Sequence, residues 1–192
     1  MNKPEYIILH HTGGTDAKPL ADSSNYTVAQ CNADHKIRFP SMKSSLGYYV
    51  GYHHFIDKKG TVTQCRADTD EGAHTVGYNS KSIGICLAGN FDATVPTKEQ
   101  EQALKGLIAS YMTKYSIPLN KVVPHRTFAK KTCYGNKLPD DWGQKLVSKK
   151  EVPIPQAAIE PTEESCIGYI EKKDSNWIIA FIQKLFGIIR NK

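Results

Sequence analysis

The feature that most constrains this 192-residue chain is where its acidic charge collects. Residues 151–171 hold five Glu, the prolines Pro153, Pro155 and Pro161, and no Lys or Arg, whereas residues 1–150 carry 20 basic against 13 acidic groups. Backbone before Pro is biased toward extended conformations and unpaired carboxylates repel one another, so such a stretch does not build a core. The chain therefore divides into a domain at residues 1–150, an acidic Pro-containing linker at 151–175 and a basic terminal segment at 176–192. A first segment of about 150 residues fills one well-buried domain, not two.

With 40% hydrophobic and 23% charged residues, the composition excludes a disordered, collagenous or multi-span membrane protein. The net charge of +6 favours an anionic partner. Anionic lipid and anionic cell-wall polymer fit; nucleic acid is not expected, because the basic residues form no single stripe and no nucleic-acid motif is present.

Within residues 1–150, Tyr6-Ile7-Ile8-Leu9 reads as a buried strand, and Gly47 to Ile56 with Gly60 to Cys65 as a hairpin around Asp57-Lys58-Lys59-Gly60. Ile83 to Ala88 and Val122-Val123 are further short strands. Thr27-Val28-Ala29-Gln30 and Thr97-Lys98-Glu99-Gln100 both have capping-box form. The first opens a helix with Val28, Cys31 and His35 on one face. The second opens a helix whose stripe is Ala103, Leu104, Leu107, Ile108, Tyr111, Met112 and Tyr115. Strands alternating with helices give an α/β class.

The cysteines Cys31, Cys65, Cys86, Cys133 and Cys166 are odd in number, irregularly spaced and without a C-x-x-C pair, so no disulfide framework is expected. The apolar run at Tyr6 to Leu9 is too short for the core of a secretory signal. The expectation is synthesis in the cytoplasm without a signal peptide.

Chemistry concentrates at the histidines. His10 ends the first strand just before Thr12-Gly13-Gly14-Thr15, and His125 ends the strand Val122-Val123-Pro124, with Cys133 eight residues later. Two imidazoles and a thiolate make a zinc site that keeps a fourth position open. Spacing alone favours hydrogen-bonded loop histidines and a small buried Cys over a metal site, since no short ligand motif is present.

Four blocks in order resemble the type 2 N-acetylmuramoyl-L-alanine amidases, a family that includes phage amidase lysozymes and peptidoglycan-recognition proteins. They are Ile7-Ile8-Leu9-His10-His11-Thr12; Val50-Gly51-Tyr52-His53-His54-Phe55-Ile56 with Lys59-Gly60-Thr61-Val62; Gly72-Ala73-His74-Thr75-Val76-Gly77-Tyr78-Asn79 with Ser82 to Phe91; and Pro124-His125-Arg126 with Lys131-Thr132-Cys133. The resemblance implies a single α/β domain with a central mixed β-sheet flanked by helices and Zn2+ in a surface groove. It implies His10, His125 and Cys133 as zinc ligands, with His11 the rival of His10. It further implies Tyr52 and Lys131 as catalytic residues, and His74 and Asn79 as substrate-binding residues. Departures are an insert at Ile37 to Leu46, and Tyr134-Gly135-Asn136 where the family has a Pro-rich turn. They bear on groove shape and substrate preference.

The implied activity is hydrolysis of the amide between N-acetylmuramic acid and L-alanine of peptidoglycan, by a phage or prophage endolysin that acts on the cell wall after release. Two alternatives accompany it. A cytosolic amidase that recycles muropeptides resembles this chain, but that branch carries Asp where Cys133 stands. A non-catalytic peptidoglycan-binding or regulatory module is known among relatives lacking the Cys.

The resemblance does not reach residues 176–192. Trp177 to Ile182 and Leu185 to Ile189 are apolar or small, interrupted by Gln183 and Lys184, and flanked by Lys172, Lys173, Arg190 and Lys192. The run is shorter than the roughly 20 residues a membrane span needs. It reads as a basic amphipathic C-terminal helix that lies on an anionic membrane surface, or docks on the domain or on itself.

Overall fold

Strand β1 (Tyr6–His11) is buried from its second residue onward in a computed structural model that describes residues 3–148. These residues fall within one compact unit. The linker and terminal helix expected at 151–175 and 176–192 lie outside the described residues.

After β1 come α1 (Val28–Arg38), β2 (His54–Ile56), β3 (Val62–Gln64), β4 (Ser82–Leu87), α2 (Lys98–Tyr115), β5 (Val122–Pro124) and α3 (Trp142–Ser148). The five strands form a mixed sheet in the order β3-β2-β4-β1-β5. β1 runs parallel to β4 and β5, β2 runs parallel to β4, and only the pair β2 with β3 is antiparallel. The four mutually parallel strands end on the same edge, where loops can gather side chains into one cleft.

The period-two alternation of β1 sorts its side chains between two layers. Ile7 and Leu9 join Ile83, Ile85 and Leu87 of β4 beneath α2 and α3, packed on Leu104, Ile108, Trp142 and Leu146. On the opposite face, Cys86 packs with Cys31 of α1, Val50, Phe55 and Cys65. Each fully buried Leu or Ile removes roughly 1.5–3 kcal/mol of apolar exposure, so the stripe of α2 holds that helix on the sheet.

Both expected capping boxes are present: Thr27 with Gln30 and Thr97 with Gln100 exchange side-chain and backbone hydrogen bonds at the starts of α1 and α2. The expected hairpin is shorter than its sequence pattern. Pairing is confined to His54–Ile56 with Val62–Gln64. The preceding run from Gly47 to His53 is engaged elsewhere: Gly51 accepts from the Ala73 amide, and Arg66 donates to the Val50 carbonyl. A Cβ at Gly51 would lie 2.3 Å from the Ala73 carbonyl oxygen, so this close approach requires glycine. α3 was not expected from the sequence. It is seated by Trp142 and Leu146 one turn apart, with Gly143 against Leu9.

Cys31, Cys65 and Cys86 are buried free thiols, and Cys133 is a half-buried one. Cys166 lies outside the described residues. No helix among the described residues is long and apolar enough to cross a membrane.

Candidate metal centre

In the β1–β5 register Leu9 pairs with Pro124, so the next residues, His10 near the end of β1 and His125 just past β5, stand side by side. Their ring centroids are 4.5 Å apart. Cys133 reaches the pair from the following loop, its Sγ 3.7 Å from His10 Nδ1. The ligand atoms of His10, His125 and Cys133 all lie within 4.8 Å of one another, the one such group of three among the described residues.

Arg126 fixes the loop that carries Cys133. Its backbone amide donates to the Cys133 carbonyl at 2.7 Å, and its guanidinium donates to the Gly135 carbonyl at 2.9 Å and the Leu138 carbonyl at 2.8 Å. Asp92 holds the same loop from the other side, accepting from the Thr132 hydroxyl and the Asn136 amide. Gly135 has φ +112°, and a Cβ there would strike the Phe91 backbone at 2.3 Å. The Tyr134-Gly135-Asn136 departure is thus a turn pressed against the core.

Burial keeps both imidazoles neutral: His10 is held well below its ordinary value, and His125 is pushed down to about 4, with Lys131 adding to the effect. Burial pushes the Cys133 thiol up to about 12. Two neutral nitrogen donors and a thiol fit a zinc ion. Tetrahedral bonds of about 2.05 and 2.3 Å put nitrogen and sulfur roughly 3.6 Å apart, close to the 3.7 Å between His10 and Cys133. A thiol this reluctant to ionise would have to lose its proton to hold a metal, and affinity would then rise with pH.

His11, the rival ligand, faces the other way. Its Nδ1 accepts the Phe91 amide at 2.9 Å on the α2 side of the sheet.

The cleft around the cluster has a volume of about 660 Å³. Tyr52 stands in its wall with its ring 4.9 Å from that of His10 and 5.5 Å from that of His35. Burial, then the neighbouring thiol of Cys86, raises its phenol well above the ordinary range, so it stays protonated. Lys131 is exposed and lines the cleft two residues before Cys133.

His74 lines the cleft from beneath, its Nδ1 3.0 Å from His10 Nε2. Asn79 is not brought to the cleft wall. Its Oδ1 accepts the His74 and Thr75 amides at 2.9 and 2.8 Å, which uses the side chain to shape its own loop.

Sequence reasoning missed Arg38, Phe39, Asp16 and Asp92, which also line the cleft. Arg38 lies one turn beyond His35, on the face of α1 that the periodicity did identify. That signal reaches it.

These features define a class: an α/β domain with a His, His, Cys cluster in a cleft at the carboxyl edge of its parallel strands. The chain belongs to the N-acetylmuramoyl-L-alanine amidase family, whose model matches residues 1–136. It is 31% identical over 137 residues to peptidoglycan-recognition protein SC2 of Drosophila simulans, covering 69% of each chain. It is 36% identical over 99 residues to the endolysin of Escherichia phage T7, covering 48% of this chain and 64% of that one. Among solved structures, the endolysine N-acetylmuramoyl-L-alanine amidase LysCS from Clostridium intestinale URNW superposes with a TM-score of 0.62 at 27% identity, covering 77% and 86% of the two chains.

Proposed function

We propose that this chain is a zinc-dependent N-acetylmuramoyl-L-alanine amidase that cleaves the amide between the lactyl group of N-acetylmuramic acid and L-alanine, and that it serves as a phage or prophage endolysin. One observation carries the reading: His10, His125 and Cys133 converge in a cleft that Tyr52 and Lys131 also line. Likeness to phage endolysins supports the biological setting.

Bound zinc supplies Lewis acidity, polarising the amide carbonyl and making water nucleophilic near neutral pH. The remaining work falls to side chains. Two neutral imidazoles and one thiolate leave the site net positive, which suits an amide carbonyl gaining negative charge. Lys131 donates a hydrogen bond to the oxyanion that develops as water adds to the carbonyl carbon. Tyr52, a protonated phenol beside His10, orients the attacking water. The C–N bond then breaks, and the water's protons are shared between the lactyl carboxyl group and the departing alanine amine.

Likeness to a peptidoglycan-recognition protein supports a second reading, a module that binds peptidoglycan without cutting it. Incubation of the purified protein with peptidoglycan separates the two. Amidase action releases new L-alanine amino termini with no new reducing sugar ends. Binding without new termini supports the second reading, and new reducing ends overturn the amidase assignment.

A further inference from the structure

The hydrogen bond between His10 Nε2 and His74 Nδ1, 3.0 Å long, is one link in a chain whose direction is set at its far end. The Ser82 hydroxyl donates to the Tyr78 carbonyl at 2.7 Å. Its single proton is thereby used, and toward His74 Nε2, 3.5 Å away, Ser82 Oγ can only accept. His74 therefore carries its proton on Nε2 and has a bare Nδ1. That bare nitrogen requires a donor, and the two atoms within reach are His10 Nε2 and the Thr75 hydroxyl, each at 3.0 Å. Two bare ring nitrogens cannot face each other at 3.0 Å, so His10 carries its proton on Nε2. Its Nδ1, the nitrogen that faces Cys133, keeps its lone pair.

The opposite polarity is self-defeating. A proton on His74 Nδ1 would make His10 Nε2 the acceptor, move the His10 proton to Nδ1, and point an N–H at the Cys133 sulfur.

The surroundings hold the His74 ring in place. A Cβ at Gly84 would lie 2.6 Å from its atoms and one at Gly72 would lie 2.5 Å away, so the two glycines are cut to the shape of this imidazole. From the backbone side, the Asn79 carboxamide holds the His74 amide.

We propose that His74 is a positioning residue for the metal centre: through the polarised chain Tyr78 carbonyl, Ser82, His74, His10, it fixes the tautomer and ring orientation that present His10 Nδ1 to the ion. The proposal rests on the zinc reading above and moves His74 from the substrate surface to the support of a ligand. Partners of this kind typically govern about a tenfold to hundredfold range of metal affinity.

The test uses the full chain, with zinc affinity measured by competition against a chromophoric chelator. His74→Leu, which fills the space without an acceptor, should bind zinc about tenfold to hundredfold more weakly than wild type. His74→Asn, whose Oδ1 can accept from His10, should recover most of that loss. Cobalt(II) loaded into wild type and His74→Asn should give the same ligand-field spectrum, with an altered one in His74→Leu. Unchanged affinity and an unchanged cobalt spectrum in His74→Leu overturn the proposal while leaving the zinc site intact. Wild-type protein that binds no zinc overturns the zinc reading itself.

Should His74→Leu fail to fold, the wild type still decides. In the zinc-loaded protein labelled with ¹⁵N-histidine, His10 should be protonated on Nε2, and His74 should be protonated on Nε2 with a coupling from its Nδ1 to the His10 Nε2 proton. A His10 protonated on Nδ1 overturns the proposal.

Discussion

His10 and His11, adjacent in sequence, leave β1 on opposite faces of the sheet: His10 meets His74 and Cys133, and His11 accepts the Phe91 amide beneath α2. Strand alternation separates them, and the consequence can be measured. His10→Ala and Cys133→Ala should lose stoichiometric zinc by elemental analysis after dialysis. His11→Ala should keep zinc but lose about 1–3 kcal/mol of stability, because the buried Phe91 amide is left without an acceptor. Full zinc in Cys133→Ala would show that the ligand set is wrong.

Lys131 offers a separate test, since it lines the cleft but belongs to no ligand group. Lys131→Ala should retain zinc while turnover on peptidoglycan falls by about two powers of ten or more, the scale seen when an oxyanion donor is removed. Near-normal hydrolysis by that variant contradicts the assigned role.

The parts legible in the sequence were those set by local rules. Apolar runs marked β1 and β4, and the capping boxes at Thr27 and Thr97 marked where both long helices begin. The convergence of His10, His125 and Cys133 could be proposed because strand ends in an α/β sheet gather on one edge, yet parity alone did not say which of His10 and His11 faced the cleft. That required knowing which layer lies on which side. His74 and Asn79 read as a single loop motif, but their different placement depends on the Asn79 side chain folding back onto its own loop. The run from Gly47 to His53 alternated like a strand and was taken up by Arg66 and Ala73, partners remote in sequence.

Acid should unfold the metal-free domain, and besides the buried histidines of the cleft, two that lie away from it contribute. His53 and His54 are buried, and burial pushes both down to about 4 from an ordinary value near 6.5. His54 bonds Tyr111 through Nε2 at 2.6 Å and leaves Nδ1 without a partner. Because the folded-state values lie below the unfolded ones, the unfolded chain binds the extra protons. Stability is complete above about pH 6.5 and declines as pH falls toward 4, by up to about 3 kcal/mol per histidine. Melting temperature measured in chelator from pH 7.5 to 4.5 should fall accordingly, and His54→Gln should remove about one proton from the coupled uptake. A flat profile contradicts this account.

The basic, apolar sequence at 176–192 carries a prediction that stands on sequence alone. We propose that it attaches the protein to anionic membrane surfaces. Full-length protein should sediment with anionic liposomes and be released as salt rises, since part of the attraction is electrostatic. A chain ending at Lys150 should not sediment yet should keep zinc and activity on soluble fragments. Equal sedimentation of the two chains removes the proposal, and a fall of many degrees in the melting temperature of the shortened chain would mean that the segment supports the domain instead.

Arg66 is the buried cation that shapes the cleft wall. Only 2% exposed, it donates through Nε to the Val50 carbonyl at 2.7 Å and through its two terminal nitrogens to the carbonyls of Glu71 at 2.9 Å and Met42 at 2.5 Å. Those three carbonyls belong to the entry to the Tyr52 segment, the loop before His74 and the Ile37 to Leu46 insert. One planar fork thus ties together three stretches of chain that no strand pairing joins. Arg66→Met removes the donors and leaves buried carbonyls unpaired, at about 1–3 kcal/mol each where water cannot enter. The midpoint of urea unfolding should fall by an amount equivalent to roughly 3 kcal/mol or more. Arg66→Lys should recover little, because an ammonium on a flexible stem cannot hold three carbonyls in the guanidinium's plane. Since Val50 lies two residues before Tyr52, both variants should also lose turnover at temperatures where they remain folded and zinc-loaded. Wild-type stability in Arg66→Met would mean that the insert and the cleft wall are held by other contacts.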